Sequence, residues 1–145
     1  MSGIRVKLLR ENAKIPTYGS AEAAGADLYA CLEADLVIQP GKTAFVPTGI
    51  AMEVPVGCAG LIYARSGLAC KRDLAPANKV GVVDSDYRGE IMVALHNHGL
   101  EPQTVANGER VAQMIITPVI TPAYEVAEEL SDTSRGQGGF GSTGK

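Results

Sequence analysis

The 145-residue chain has no tryptophan, few other aromatic residues, and no apolar run long enough to cross a membrane. Aromatic residues make up 5% of the sequence, so Val, Ile, Leu and Ala must supply the core. A transmembrane helix needs about 20 consecutive apolar residues, and residues 1–14 contain no hydrophobic segment typical of a signal peptide. We therefore expect a cytoplasmic protein without a membrane partner.

The sequence also lacks an excess of positive charge and a paired cysteine motif. Its formal net charge is −3, whereas nucleic-acid binders usually carry a basic excess that neutralises phosphates. We expect no nucleic-acid partner, although a local cluster of donors can still bind a small anion. Cys31, Cys58 and Cys70 form no C-x-x-C pair, and their odd number favours buried thiols in a reducing compartment over disulfides or zinc.

Short apolar runs, separated by eight prolines and seventeen glycines, dominate the chain. This pattern is typical of an all-β sandwich or barrel. One segment conflicts with it, because residues 20–36 are Ala-rich and favour a helix by propensity, although Gly25 lies in their middle. The expected strands are residues 4–9, 58–64, 80–83, 91–95, 111–116 and 119–126, with a hairpin-like connection over 84–90 and a break at 117–118.

The C-terminal segment, residues 135–145, differs in composition from the rest of the chain. Five of its eleven residues are glycine, and glycine loses more conformational freedom on ordering than any other residue. We therefore predict a single domain of residues 1–145, which consists of a β core of residues 1–134 and a flexible arm of residues 135–145.

The arm also carries donors suited to an anion. Its glycines let backbone N–H groups converge, and Arg135, Ser142, Thr143 and Lys145 add side-chain donors. A disordered terminus is the competing interpretation, since most Gly-rich tails are disordered. Phe140 argues against it, because an aromatic ring could stack on a planar ligand.

Two polar stretches follow predicted strands. Arg65, Ser66 and Gly67 supply a guanidinium group, a hydroxyl and a close backbone approach for phosphate oxygens, although a plain turn would explain them too. Asp84 ends an apolar run, where a carboxylate can act as a general base on water. Tyr87 could present a flat face to a sugar. A turn, in which Asp is common for backbone reasons, explains Asp84 about as well.

Other polar residues lie within apolar surroundings. Gln113, if buried, needs hydrogen-bond partners, and a structural bond would satisfy it as well as a ligand would. Asp27 could hold a metal hydrate or simply cap a turn. His96 and His98 would share one face of a strand, but no third ligand stands at metal-site spacing. We therefore interpret these histidines as surface or interface residues.

Taken in order, five stretches resemble the motifs of the trimeric dUTPase family. They are AGADLYA (24–30), RSGLA (65–69), GVVDSDYRGEIMVALHN (81–97), GERVAQMI (108–115) and RGQGGFGSTGK (135–145). Each motif alone is weak, but their order over most of the chain is specific. The resemblance implies a jelly-roll-like β-barrel or sandwich and a homotrimer, with the arm of one chain closing over a site built by the others. It also implies a strand or loop at residues 20–36.

The activity that the resemblance implies is Mg²⁺-dependent hydrolysis of dUTP to dUMP and pyrophosphate by water attack at the α-phosphorus. This activity limits uracil in DNA and supplies dUMP for dTMP synthesis. Carried over by position, the resemblance implies that Asp84 activates the water. It implies that Asp27 holds the Mg²⁺ hydrate through water.

The remaining positions carried over from the resemblance fall into three groups. Those that would line the nucleoside pocket are Asn78, Val82, Val83, Tyr87 and Met92. Those that would hold phosphate oxygens are Arg65, Ser66, Gly67 and Gln113. Those that the arm would add are Arg135, Phe140, Gly141, Ser142 and Thr143. Tyr87 would pack under the deoxyribose and Phe140 would stack on uracil, while the role of Arg110 stays open.

Two other functions are compatible with a β fold of this size. A dCTP deaminase has a related fold but usually lacks an arm of the GFGST type, and it would release ammonia from dCTP. A non-catalytic jelly-roll binding module would have no need of Asp84, Arg65 and Gln113 in these contexts. Release of pyrophosphate from dUTP would count against both.

Overall fold

A computed structural model describes residues 3–144, which form short β-strands and one short helix, α1 (Ser66–Arg72). Lys145, predicted as an anion donor, lies outside the described residues. Within residues 3–144 no helix is long and apolar enough to cross a membrane. The strands are β1 (Val6–Leu8), β2 (Thr17–Tyr18), β3 (Ala26–Tyr29), β4 (Leu36–Ile38), β5 (Thr43–Pro47), β6 (Ile50–Met52), β7 (Cys58–Tyr63), β8 (Leu74–Pro76), β9 (Gly81–Val83), β10 (Met92–Asn97), β11 (Gln103–Val105) and β12 (Arg110–Pro118).

The strands pair in four antiparallel sheets. The largest has the order β2-β3-β12-β7-β9, and the next has the order β5-β10-β8. Two smaller pairs are β1-β6 and β11-β4. The nine-residue β12 lies at the centre of the largest sheet, between β3 and β7. The all-β architecture predicted from the sequence is therefore confirmed.

The core is built from aliphatic side chains of several sheets. In β10, Val93 and Leu95 are buried while Met92 is exposed, so burial follows the two-residue period of a strand. Burying one such aliphatic side chain contributes about 1.5–3 kcal/mol. The largest buried apolar side chains are Leu28, Ile38, Ile50, Leu74, Ile91 and Leu95.

The three thiols are free but differ in burial. Cys31 belongs to the core, Cys58 is half-buried, and Cys70 is exposed on α1. The prediction of buried thiols is therefore right for Cys31 and wrong for Cys70. A seven-residue helix with Leu68 as its one buried residue leaves most of its surface, including this thiol, in solvent.

The predicted hairpin over residues 84–90 is wrong. The strand before it, β9, pairs with β7, whereas β10 pairs with β5 and β8. Residues 84–90 therefore cross from one sheet to another. The two strands belong to different sheets, and two neighbouring apolar runs in the sequence do not show to which sheet each strand belongs.

The segment 20–36 contains no helix, in agreement with the expectation from the family motifs. Its centre forms β3, whose Ala26, Asp27 and Leu28 are all buried. This strand pairs with β2 on one side and β12 on the other. The alanine-rich composition favours a helix only locally, and two-sided strand pairing with core burial overrides that preference.

Two predictions at the C-terminal end of the β core are wrong. There is no break at residues 117–118, because β12 continues to Pro118, which pairs with Cys58. Residues 119–126 form no strand and are exposed. Val119 N still donates to Gly57 O at 2.9 Å, but the hydrogen bonds of residues 120–144 all stay within that segment. A segment with the apolar pattern of a strand forms no strand where the chain supplies no neighbouring strand to pair with it.

Candidate functional site

A cavity of about 210 Å³ lies beside β9 and the crossover that follows it. The structure brings to its wall the predicted base, Asp84, and every residue predicted for the nucleoside pocket. The lining residues are Asn78, Val82, Val83, Asp84, Tyr87 and Met92, together with Ile62, Gly81, Glu90 and Ile91. Apart from Ile62 of β7, these positions lie within the fifteen residues from Asn78 to Met92, and the turn between the two sheets gathers them.

The strand β9 presents both backbone groups and Asp84 to this cavity. Val83 is buried against the core, whereas the neighbouring Val82 and Asp84 are exposed. Within the described residues β9 is the last strand of its sheet, so its outer N–H and C=O groups have no strand partner. An edge of this kind offers the donor and acceptor pattern that a pyrimidine base needs.

The Tyr87 ring has a fixed position at the cavity wall. Its hydroxyl donates to the Glu90 carbonyl oxygen at 2.9 Å, and its backbone N–H donates to the Asp84 carbonyl oxygen at 3.2 Å. A Cβ at Gly89 would lie 2.4 Å from the Tyr87 hydroxyl oxygen, so only glycine leaves room for the ring there. The ring is held on one side and half-exposed on the other.

A second cluster forms around Asp27. This carboxylate is buried, and Arg65 Nε donates to its Oδ1 at 2.9 Å while Arg110 Nη1 donates to its Oδ2 at 3.3 Å. Arg110, whose role the sequence leaves open, thus has Asp27 as its partner. Two guanidinium groups around one carboxylate stabilise that charge and leave a net positive site suited to phosphate oxygens.

Gln113 belongs to the same cluster. It pairs directly with Asp27 across β12 and β3, and its Nε2 donates to the Ala64 carbonyl oxygen at 2.9 Å. A Cβ at Gly25 would lie 2.4 Å from Gln113 Oε1, so the glycine allows this close packing. The first, second and fourth motifs therefore meet around Asp27.

Ser66 and Gly67 are exposed in the first turn of α1, directly after Arg65. Arg65 itself has extended backbone angles and lies in the short connection between β7 and α1. The sequence analysis does not predict this helix. The helix has seven residues and buries only Leu68, so its apolar pattern is too short to be recognised in the sequence.

Within one chain Asp84 and Arg65 are far apart, although Ile62 of the cavity wall is next to Tyr63, which pairs with Gln113 of the Asp27 cluster. Val83 pairs with Gly60, so Asp84 lies near the start of β7, whereas Arg65 follows its end. At about 3.3 Å per residue, these positions differ by roughly 15–20 Å along the strand. A single chain does not bring Asp84 and Arg65 to one α-phosphorus.

The predicted arm residues also lie away from both clusters. Arg135 Nε donates to Gly138 O at 2.7 Å within the arm, and Phe140 is fully exposed. Ser142 N bonds to Gly139 O at 3.0 Å, and Gly141, Ser142 and Thr143 are exposed. The described part of the arm therefore contacts neither the cavity nor Asp27.

His96 and His98 lie at the end of β10, with ring centroids 4.5 Å apart. His96 Nδ1 hydrogen-bonds Thr43 Oγ1 at 2.8 Å, and His98 is exposed. Desolvation is the largest effect that lowers the pKa of His98, and the charges of His96 and Lys79 lower it further. Neither histidine belongs to the cavity lining or to the Asp27 cluster, so neither enters the candidate site.

Comparison with known proteins identifies the family. A family model described as dUTPase matches residues 11–144. The chain belongs to the dUTPase family. A deoxyuridine 5'-triphosphate nucleotidohydrolase of Desulfitobacterium hafniense is 50% identical, with 99% of each chain covered. The chain is therefore a hydrolase of nucleotide metabolism that acts on dUTP, as predicted, and the deaminase and binding-module alternatives are set aside.

Solved structures agree with the fold. The G164S mutant of the dUTPase of Staphylococcus bacteriophage 80alpha, with dUpNHpp, is 28% identical, has a TM-score of 0.92 and covers all of both chains. A mutant dUTPase of phage phi11 of S. aureus is 25% identical, has a TM-score of 0.80 and covers 88% of this chain and 98% of that chain. The phi11 structure is described as coordinating a structural Mg(II) ion.

Proposed function

We propose that the chain hydrolyses dUTP to dUMP and pyrophosphate by water attack at the α-phosphorus, in sites shared between the subunits of a homotrimer. The observation that carries this proposal is the division of the predicted site into separate parts. Asp84 lies in one cavity, Arg65 lies roughly 15–20 Å away along β7, and the arm contacts neither. Association of chains can unite these parts around one triphosphate.

In this proposal Asp84 is the general base. Its carboxylate lies at the cavity wall and is exposed, so it can accept a proton from a water molecule placed between it and the α-phosphorus. A positioned base of this type contributes about 10²–10⁴ in rate. The electron pair of the attacking water forms the new P–O bond, and pyrophosphate leaves with the electrons of the bond that breaks.

The cavity would hold the nucleoside. The free edge of β9, at Val82 and Val83, can read the uracil through backbone groups, and Asn78 and Met92 line the remaining wall. Tyr87 would pack under the sugar. Because its ring is held against Gly89 and Glu90, it would not move aside for a ribose 2′-hydroxyl, so the pocket would favour deoxyribose.

The Asp27 cluster and the arm would hold the phosphates. Arg65, Ser66, Gly67 and Gln113 surround the end of β7, where a guanidinium fork and neutral donors match phosphate oxygens. The arm would add Arg135, Gly141, Ser142 and Thr143, with Phe140 stacked on uracil. Closure of the arm would exclude water other than the nucleophile.

Asp27 would accept a hydrogen bond from a water of a magnesium ion that the triphosphate binds, because the ion–triphosphate complex is net negative and so is compatible with the positive Asp27 cluster. Each of its oxygens accepts one arginine N–H, and a carboxylate oxygen has capacity for a further hydrogen bond from water. Mg²⁺ usually keeps several waters and binds one or two carboxylates together with substrate phosphates. When bound, the ion would neutralise charge on the triphosphate. The structural ion of the phi11 relative supports metal binding in this family.

The exposed C-terminal segment supports association between chains, which the proposed trimer requires. Ile120, Tyr124, Val126 and Leu130 are each at least 88% exposed in the single chain. Apolar side chains exposed in such a run usually pack against another surface. We also place the protein in the cytoplasm, where its free thiols would stay reduced.

Pyrophosphate release measured with dUTP, dTTP, dCTP and UTP tests this assignment. We expect rapid release from dUTP alone and a large loss of rate when Mg²⁺ is chelated, because the charge of the triphosphate is then unneutralised. Analysis of products should give dUMP, without accumulation of dUDP. Release of single phosphate, or comparable rates with UTP, would contradict the proposed chemistry or the proposed sugar pocket.

A further inference from the structure

Arg10 lies outside all five motifs, yet it forms an ion pair with a residue of the nucleoside cavity. Its guanidinium Nη2 contacts Glu90 Oε1, eighty positions away in the sequence. Glu90 lines the cavity, and its side chain is 21% exposed. The pair therefore differs from an ordinary surface salt bridge, in which both partners are freely solvated.

The segment around Arg10 is anchored to the β core. Leu9 N donates to Gly49 O at 2.7 Å, and Ala13 N donates to Arg10 O at 3.2 Å. An arginine guanidinium is charged at physiological pH, and the neighbouring Cys31 and Glu90 raise the pKa of Arg10 further. A fixed, permanent cation thus stands beside the Glu90 carboxylate.

Glu90 is in turn linked to the sugar side of the cavity. Its carbonyl oxygen accepts the Tyr87 hydroxyl at 2.9 Å, which fixes the Tyr87 ring. The next residue, Ile91, is buried and bonds through N–H to Ile50 O at 2.8 Å and through C=O to the Thr48 hydroxyl at 2.6 Å. The Glu90 backbone is therefore firmly placed, and its side chain is the part that Arg10 controls.

The charge on Glu90 matters because the substrate is a polyanion. Two carboxylates, Asp84 and Glu90, line the same small cavity. Arg88 is also near, but its guanidinium donates to the carbonyl oxygens of Ser85 and Tyr87, at 2.7 and 3.1 Å. Among the ion pairs of the described residues, Arg10 is the partner that neutralises Glu90.

We propose that Arg10 is a positioning residue for dUTP binding, which neutralises and restrains Glu90 beside the nucleoside pocket. This inference rests on the proposed location of that pocket. Arg10 does not touch the reacting atoms, so its removal acts on KM, through repulsion between a bare Glu90 carboxylate and the triphosphate. The attack step, which depends on Asp84, keeps its kcat.

The test is a double-mutant cycle in steady-state kinetics with dUTP. We expect Arg10→Gln to raise KM by about fivefold, with kcat changed by less than about twofold. In the Glu90→Gln background the same Arg10 substitution should change KM by less than about twofold, because no charge is left to neutralise. Arg10→Lys, which keeps the charge, should restore most of the affinity.

Arg5→Gln is the matched control. Arg5 lies on the same N-terminal segment as Arg10, forms an ion pair with Glu53, and is absent from the lining of the cavity. An unchanged KM in Arg10→Gln, or an equal rise of KM in the Glu90→Gln background, would overturn the inference. The variant Tyr87→Ala distinguishes a wrong role for Arg10 from a wrong location of the nucleoside pocket. If Tyr87→Ala raises KM and Arg10→Gln does not, only the role of Arg10 is lost; if neither raises KM, the pocket assignment fails.

Discussion

Replacing Asp84 with asparagine is expected to abolish nearly all turnover while the protein still folds and binds dUTP. The Asp84 side chain is exposed at the cavity wall, and the core does not depend on it. Asparagine keeps the shape but cannot take a proton from water. We expect kcat to fall by about 10²–10⁴. Pyrophosphate release gives kcat, and titration with the analogue dUpNHpp gives the affinity.

Asp86→Asn is the matched control for this substitution. Asp86 lies two residues further along the same turn, is also exposed, and is absent from the lining of the cavity. Loss of one negative charge from the turn is common to both variants, so a difference between them reports the proton transfer. If Asp84→Asn turned over dUTP at the normal rate, Asp84 would not be the base.

Removal of the arm by truncation after Ser134 is expected to leave the fold and the oligomer intact but to remove nearly all activity. The described arm residues form hydrogen bonds only among residues 133–144, so the core loses no partner. The variant loses the Arg135 guanidinium, and an arginine that stabilises a phosphoryl-transfer transition state is worth about 10³ or more in rate.

Thermal unfolding and sedimentation velocity should show a truncated protein with unchanged stability and mass of assembly. Gln137→Ala is a suitable control, because Gln137 is exposed in the arm and carries no proposed role. Full turnover by the truncated chain would contradict the proposal that the arm clamps the triphosphate. A partial loss equal to that of Phe140→Ala would restrict the role of the arm to stacking on the base.

The sequence predicts the all-β class and the gathering of the third motif because both depend on short-range patterns. Val93 and Leu95 alternate with less buried neighbours, and that alternation is visible in the letters. The residues around Asp84 lie within one turn and the strands that flank it. The assignment of each strand to a sheet does not depend on short-range patterns, because burial selects pairing partners that are far apart in the sequence. The hairpin prediction is wrong for that reason.

Contacts between distant segments could not be read from the sequence. Arg110 bonds to Asp27 across two paired strands, and Arg10 bonds to Glu90 between the N-terminus and the crossover. Arg10 and Glu90 look like ordinary surface charges in their local sequences, and nothing near Arg110 in the sequence indicates that its partner is Asp27. Residues 119–126 show the converse case, because an apolar pattern typical of a strand has no ladder partner in the chain to which it belongs.

Complementation between two inactive variants tests most directly whether the site is divided between chains. Asp84→Asn chains retain the arm, and chains truncated after Ser134 retain Asp84; the two are denatured, mixed in equal amounts and refolded together. If Asp84 and the arm come from different subunits, random assembly should restore about one quarter of the wild-type activity. If the mixture stays as inactive as its two components while assembling normally, each site takes Asp84 and the arm from the same chain, and the account is contradicted.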